Sequence, residues 1–185
     1  MLSPRQKGFT LIEVLIAMAV TAIGILTFLQ LQMLALQEAR NTAYMFSANL
    51  IAQDMVSRMQ TNYYGVYPAQ TGVLASIYHQ PNGIPNTFTQ NTSCYGGTNG
   101  FESCGYNEMA TEDVYDLKQM VSTLPNGVAM ICANQGSAPV GTAPGSLTCN
   151  NPPSSSLSSG AQFTIMIYWS QDGTNYKSSL TVATI

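Results

Sequence analysis

The sequence predicts an α+β protein: one long N-terminal helix, a second shorter helix, and a small antiparallel sheet of three or more strands. Three observations carry this reading. The chain opens with a long apolar run from Phe9 to Leu36. Apolar residues then recur at helical spacing as Tyr44, Ala48, Ile51, Met55 and Met59. Near the other end, Phe163, Ile165, Ile167 and Trp169 alternate with Thr164, Met166 and Tyr168, ahead of the turn signal Asp172-Gly173.

The apolar run explains the organisation of the first part of the chain. Residues 1–8, MLSPRQKG, are short, polar and basic, and no charge lies between Val14 and Leu36. About 20 apolar residues suffice to span a bilayer as a helix. Arg5 and Lys7 precede the run and hold that end in the cytoplasm by the positive-inside rule, which places the remainder outside. A secretory signal peptide fits poorly, because Glu13 interrupts the start of the run and no A-x-A site follows it before Gln37. A plain anchor leaves Glu13 unexplained, since an acid inside a spanning helix costs roughly 2.5–3.5 kcal/mol. Glu13 is therefore a candidate functional residue.

The run Lys7-Gly8-Phe9-Thr10-Leu11-Ile12-Glu13 closely resembles the precursor signature of the type IV pilin family. The resemblance implies cleavage after Gly8 by a prepilin peptidase on the cytoplasmic side, and N-methylation of the new terminus, Phe9. Removal of residues 1–8 leaves four basic against nine acidic side chains, a balance of −5. The new amine and the Glu13 carboxylate then share the start of one helix, whose positive end also favours the carboxylate. In a helical bundle, Glu13 of one subunit can pair with the Phe9 amine of its neighbour. Either charge left alone would cost several kcal/mol in hydrocarbon. Such a pairing would set the axial register of a filament.

The helical pattern continues past the membrane, so that residues 9–36 read as a transmembrane and assembly helix and 37–61 as its amphipathic continuation. Tyr63-Tyr64-Gly65 and Pro68 mark the upper end. A helix from Phe9 to about Gln60 is roughly 80 Å long at 1.5 Å per residue. Many major pilins carry a proline in this helix; here none occurs, and Gly24 is the sole weak point, more typical of close packing.

Residues 62–185 form the extracytoplasmic head. Residues 62–110 are rich in Gly, Asn, Thr and Pro and read as a long loop. Thr111 is expected to start a helix, with Glu112 and Asp113 in its first turn and Leu117, Met120, Val121 and Leu124 on its apolar face. Pro125-Asn126-Gly127 ends it, and Val128 to Cys132 reads as a strand. After a loop over 133–160, the final hairpin returns from Tyr176 to Ile185. The order of Asp116 in an amphipathic helix, Leu124-Pro125-Asn126-Gly127, a strand ending in Cys132, and Ile167-Tyr168-Trp169 is similar to that of PilV-type minor pilins.

The four cysteines, Cys94, Cys104, Cys132 and Cys149, suggest two disulfides in an exported chain. Three pairings are possible; Cys94–Cys104 with Cys132–Cys149 is favoured because each closes one short loop rich in small polar residues. Each closure contributes about 3 kcal/mol in the chain-entropy picture. A zinc site is disfavoured, with no C-x-x-C and one histidine in the chain.

Little else points to chemistry. Charged residues make up 8% of the chain, about a third of the usual share, and they form no basic patch for nucleic acid. His79, set among Gln, Pro and Asn, reads as a surface-loop residue and not a catalytic one. Glu112, Asp113 and Asp116 read as solvated acids at a helix start. Gly96-Gly97 and Gly100 lack the Lys-Ser/Thr of a phosphate loop, and Asn91-Thr92-Ser93 is a common chance glycosylation triplet. Tyr63, Tyr64, Tyr67 and Tyr78 are expected to pack against the long helix and not to stack on a ligand.

The expected function is therefore structural, with no enzymatic activity, cofactor or metal. The resemblance implies a minor pilin in the initiation, assembly or tip complex of a bacterial type IV pilus. Its partners would be other minor and major pilins, the prepilin peptidase and the inner-membrane assembly platform. The subunit would sit as a single-pass inner-membrane protein with a periplasmic head, then in the extracellular pilus. A minor pseudopilin of a type II secretion system shares the same N-terminus, and a tip adhesin displaying the Cys94–Cys104 loop is a further alternative.

Overall fold

A computed structural model describes residues 10–62, 77–84, 88–90, 94, 104–133, 149 and 162–184. The described elements are helix α1 (Leu11–Thr61), helix α2 (Tyr106–Ser122) and strands β1 (Val128–Ala133), β2 (Gln162–Trp169) and β3 (Lys177–Thr184). The architecture is the expected α+β layout, with a long N-terminal helix, a three-stranded antiparallel sheet in the order β1-β2-β3, and two disulfides. The chain divides into two compact units, Met1–Ala43 and Tyr44–Ile185.

In the first unit, α1 is built from Leu, Ile, Ala, Val, Met and Phe with no proline from Leu11 onward. Every large apolar side chain from Leu11 to Leu36 is exposed, between 45% and 79%. In water such a surface is unfavourable, because roughly 25 cal/mol is lost for each Å² of apolar area left wet. It is suited to lipid or to other apolar helices as its surroundings. Thr21 and Thr27 satisfy their hydroxyls within the helix, donating to carbonyls three and four residues back.

In the second unit, the remainder of α1 supplies one wall of the core. Ala48, Ala52, Met55 and Met59 are fully buried, with Tyr44, Ile51 and Val56 packed at their margin. They meet Val114, Leu117 and Val121 of α2 and the inner face of the sheet, Ala129, Ile131, Ala133, Phe163, Ile165, Ile167 and Trp169. Burial of a side chain of this size contributes roughly 1.5–3 kcal/mol relative to exposure. The predicted inner face of β2 is thus the observed one. Its other face is also covered: Met166 and Tyr168 pack with Met130, Cys132, Cys149 and Tyr176 in a second small cluster.

α2 begins at Tyr106, five residues before the expected Thr111. The cap is Gly105, whose N–H donates to the Glu108 carboxylate at 2.7 Å. Glu108 stands at the third helical position, where an acid returns a bond to the cap backbone. β1 runs one residue beyond Cys132, and β3 is bounded by Lys177 and Thr184. Between α2 and β1, Asn126 adopts a left-handed φ of 49°, and Gly127 approaches so closely that a Cβ there would lie 2.1 Å from the Val121 carbonyl oxygen. Ser170 N–H donates to the Pro125 carbonyl and Asn126 Nδ2 to the Ser170 carbonyl, which tie this turn to the end of β2.

Candidate assembly site

Glu13 lies in the first turn of α1, its N–H donating to the Thr10 carbonyl at 3.1 Å. The helix dipole favours a carboxylate at that end. The exposed apolar run begins around it, with Leu11, Ile12, Val14, Leu15 and Ile16 as immediate neighbours in sequence. Among the described residues, α1 is the one helix long and apolar enough to cross a membrane. Gly8 and Phe9, the predicted cleavage pair, lie outside the described residues, as do Tyr63, Tyr64, Tyr67, Asn91-Thr92-Ser93, Gly96, Gly97 and Gly100.

In the second unit, Cys94 is joined to Cys104 and Cys132 to Cys149. The second bridge is the more deeply set: Cys132 is fully buried and Cys149 nearly so, whereas Cys94 and Cys104 are half-buried. Cys104 immediately precedes the α2 cap, and Cys132 is the penultimate residue of β1. Each bridge therefore fastens the chain at the end of a regular element.

The acids of α2 require a correction. Glu112 and Asp113 are buried, each 6% exposed, and are not solvated helix-start residues. Because α2 starts at Tyr106, they fall in its second turn on the inward side. Buried carboxylates must be paired, and these are. Asp113 accepts a 2.6 Å hydrogen bond from the Tyr78 hydroxyl and a 3.3 Å bond from Arg58 Nη1. Glu112 accepts from Gln90 Nε2 at 3.0 Å. Asp116, half-buried, takes a 2.8 Å bond from the same Arg58 nitrogen, while Arg58 Nε reaches Asp54 one helical turn back. Partial burial works against the Arg58 charge, but the carboxylates of Asp54, Asp116 and Asp113 outweigh it and raise its pKa further.

Tyr78 is the centre of this cluster. It is fully buried, and its oxygen also accepts from Asn62 Nδ2 at 3.0 Å, just past the end of α1. Burial first, and then the Asp113 carboxylate, push its pKa well above the ordinary tyrosine value, so it remains a donor. Tyr78 therefore packs at the long helix, as expected, and also joins α1 to α2 through hydrogen bonds. The partners in this cluster lie as far as 58 residues apart in the chain, which is why local pattern could not reveal them.

His79 departs from its expected surface position. It is half-buried, and its Nδ1 accepts the Ala133 N–H at 3.1 Å. Burial lowers its pKa below the ordinary histidine value. The hairpin turn behaves as its sequence implies. Asp172 Oδ1 accepts from the N–H groups of Asn175 and Thr174 and from the Ser170 hydroxyl, and those bonds hold its carboxyl far below the usual range. Gly173 supplies the left-handed φ of 74° that the turn needs.

The described clusters are structural ties and an exposed apolar surface; nothing in their geometry joins a nucleophile to a base. Comparison with known families matches residues 3–29 to the prokaryotic N-terminal methylation motif. Comparison with curated proteins and with solved structures finds no significant match. The motif supports a type IV pilin or pseudopilin in general, a structural class of subunit that assembles with other pilins after processing by a prepilin peptidase. The apolar α1 fits membrane anchorage.

Proposed function

We propose that the chain is a minor pilin of the PilV type, acting in the initiation, assembly or tip complex of a bacterial type IV pilus. The observation that carries the reading is the methylation motif over residues 3–29 leading into a helix whose apolar side chains are exposed throughout Leu11–Leu36. In this reading residues 1–8 are a leader, 9–36 the membrane and assembly helix, 37–61 its continuation and 62–185 the head. The peptidase cuts after Gly8, and Phe9 carries the methylated amine. Glu13 pairs with the Phe9 amine of the next subunit, because either charge would otherwise stand alone among apolar helices. The two disulfides hold the head in the oxidising space outside the inner membrane, and the inner-membrane assembly platform passes the subunit into the extracellular pilus.

The test is intact-mass and N-terminal analysis of protein extracted from membranes. The wild type is expected to begin at methylated Phe9, and Gly8→Val to retain residues 1–8. A wild-type terminus at Met1 would refute the proposal. The same motif equally supports a type II secretion pseudopilin. Deletion of the gene separates the two: loss of surface pili favours the pilus, and loss of enzyme secretion with pili intact favours the secretion system.

A further inference from the structure

The segment 77–84 runs along the free edge of β1. Gln80 and Ile131 exchange both backbone hydrogen bonds, at 2.9 and 3.3 Å, and Ile84 N–H donates to the Ala129 carbonyl at 3.0 Å. In an antiparallel ladder, bonded pairs alternate with unbonded ones. The register set by Gln80 and Ile131 would next offer the Ala133 N–H to the carbonyl of Tyr78. The His79 imidazole takes that place instead, its Nδ1 accepting the Ala133 N–H at 3.1 Å. A side chain that can gain a proton thus stands where a carbonyl, which cannot, would ordinarily complete the ladder. Ala133 is the last residue of β1 and directly follows the bridged Cys132.

We propose that His79 is an acid-sensitive latch for the C-terminal end of β1. A neutral ring holds the Ala133 amide through Nδ1; protonation at Nδ1 converts the acceptor into a donor, and the two N–H groups then face each other. A protonated imidazole has no acceptor left, so the strand end must part from the 77–84 segment at that point. Gln80 and Ile84 keep their bonds, and the release is local to Ala133.

Among the described residues, no carboxylate is found bonded to this ring. β1 brings no ionisable side chain, since Cys132 is bridged and its other residues are apolar or small. β2 likewise carries no charged residue. Among the described residues, Asp113 of α2 bonds to Tyr78, the residue before His79, and Arg58 of α1 ties Asp113 to Asp116 and Asp54. Glu112 and Lys118, also on α2, bond to Gln90 and the Phe88 carbonyl. Burial alone moves the His79 pKa, and it moves it down. The sign follows: the folded form gives up its proton more readily than the unfolded chain, so the latch is closed above a pH of about 6.5 and weakens as pH falls below it.

The experiment follows amide exchange at Ala133 in the full-length protein in detergent micelles, from about pH 7.5 to about pH 4.5. After correction for intrinsic exchange, protection is expected to fall by up to about tenfold per pH unit once the ring titrates, as one linked proton requires. Amides within β2 should keep their protection. His79→Asn places a non-titrating oxygen near the Nδ1 position and should hold Ala133 protection flat. Equal pH dependence in wild type and His79→Asn, or a parallel loss throughout β2, overturns the latch. Nitrogen shifts of the wild-type ring give a check independent of any variant. At about pH 7.5 the latch requires the tautomer protonated at Nε2, and a ring protonated at Nδ1 would refute it.

Discussion

Tyr78→Phe removes one oxygen from the centre of the second unit and nothing else. The ring remains, so the fully buried site is not emptied and no cavity term arises. What is lost is a 2.6 Å bond to the Asp113 carboxylate and an acceptor for Asn62. A hydrogen bond to a charged group is worth about 1.5–3 kcal/mol. Two partners soften the loss: Asn62 Nδ2 also reaches the Tyr106 carbonyl at 2.8 Å, and Asp113 keeps Arg58. The expected cost is therefore about 2 kcal/mol, or a fall in melting temperature of roughly 4–8 °C. Tyr78→Ala adds the cavity and should lose roughly 3–5 kcal/mol in all. Trp169, the one tryptophan and 2% exposed, reports the transition by fluorescence as full-length protein in detergent is titrated with urea. Because the Tyr78 pKa is raised, its contribution is complete below about pH 10 and is lost as pH rises toward the higher folded value. Wild type should therefore lose stability in alkali relative to Tyr78→Phe. A Tyr78→Phe protein within about 0.5 kcal/mol of wild type would show that the hydroxyl is not a structural tie.

Three further outcomes are expected. On the proposed pairing, Glu13→Val should leave membrane insertion intact and reduce recovery in sheared filaments, because a costly charge would leave the bilayer and the neighbour's amine would lose its partner; equal filament recovery and equal filament number would exclude the pairing. Graded reductant should open Cys94–Cys104 before Cys132–Cys149, since the latter pair is almost wholly buried; thiol labelling with peptide mapping reads the order, and loss of the second bridge should cost about 3 kcal/mol. Gly127→Ala should destabilise by about 1–3 kcal/mol, because the new methyl meets the Val121 carbonyl at 2.1 Å; urea unfolding of that variant checks it.

What could be read from the sequence was whatever repeats over short distances. The α1 face of Tyr44, Ala48, Ile51, Met55 and Met59 and the alternation of Phe163 to Trp169 are local periodicities, and both mark the observed core. The Asp172-Gly173 turn carries its own chemistry within four residues. The α2 start was displaced because Gly105 offers no side-chain signal, and Glu108 works as a cap partner only once that glycine is known to be the cap. Local pattern makes Glu112 and Asp113 solvated for the same reason: moving the start by five residues turns them inward. The role of His79 depends on Ala133, 54 residues away, and no spacing rule connects them.

The absence of proline from Leu11 to Thr61 has a mechanical consequence. A helix bonds its own amides to its own carbonyls, so moving it from lipid to a sheath of neighbouring helices breaks no backbone bond and exposes none. The change of surroundings is felt only by side chains, and Thr21 and Thr27 already satisfy their hydroxyls from within. For the region Leu11–Leu36, one apolar environment can replace another with almost no change in polar contacts. Glu13 is the one charged side chain in that stretch, beside the polar but neutral Gln30 and Gln32, and on the proposed pairing it is there that the two environments would differ most.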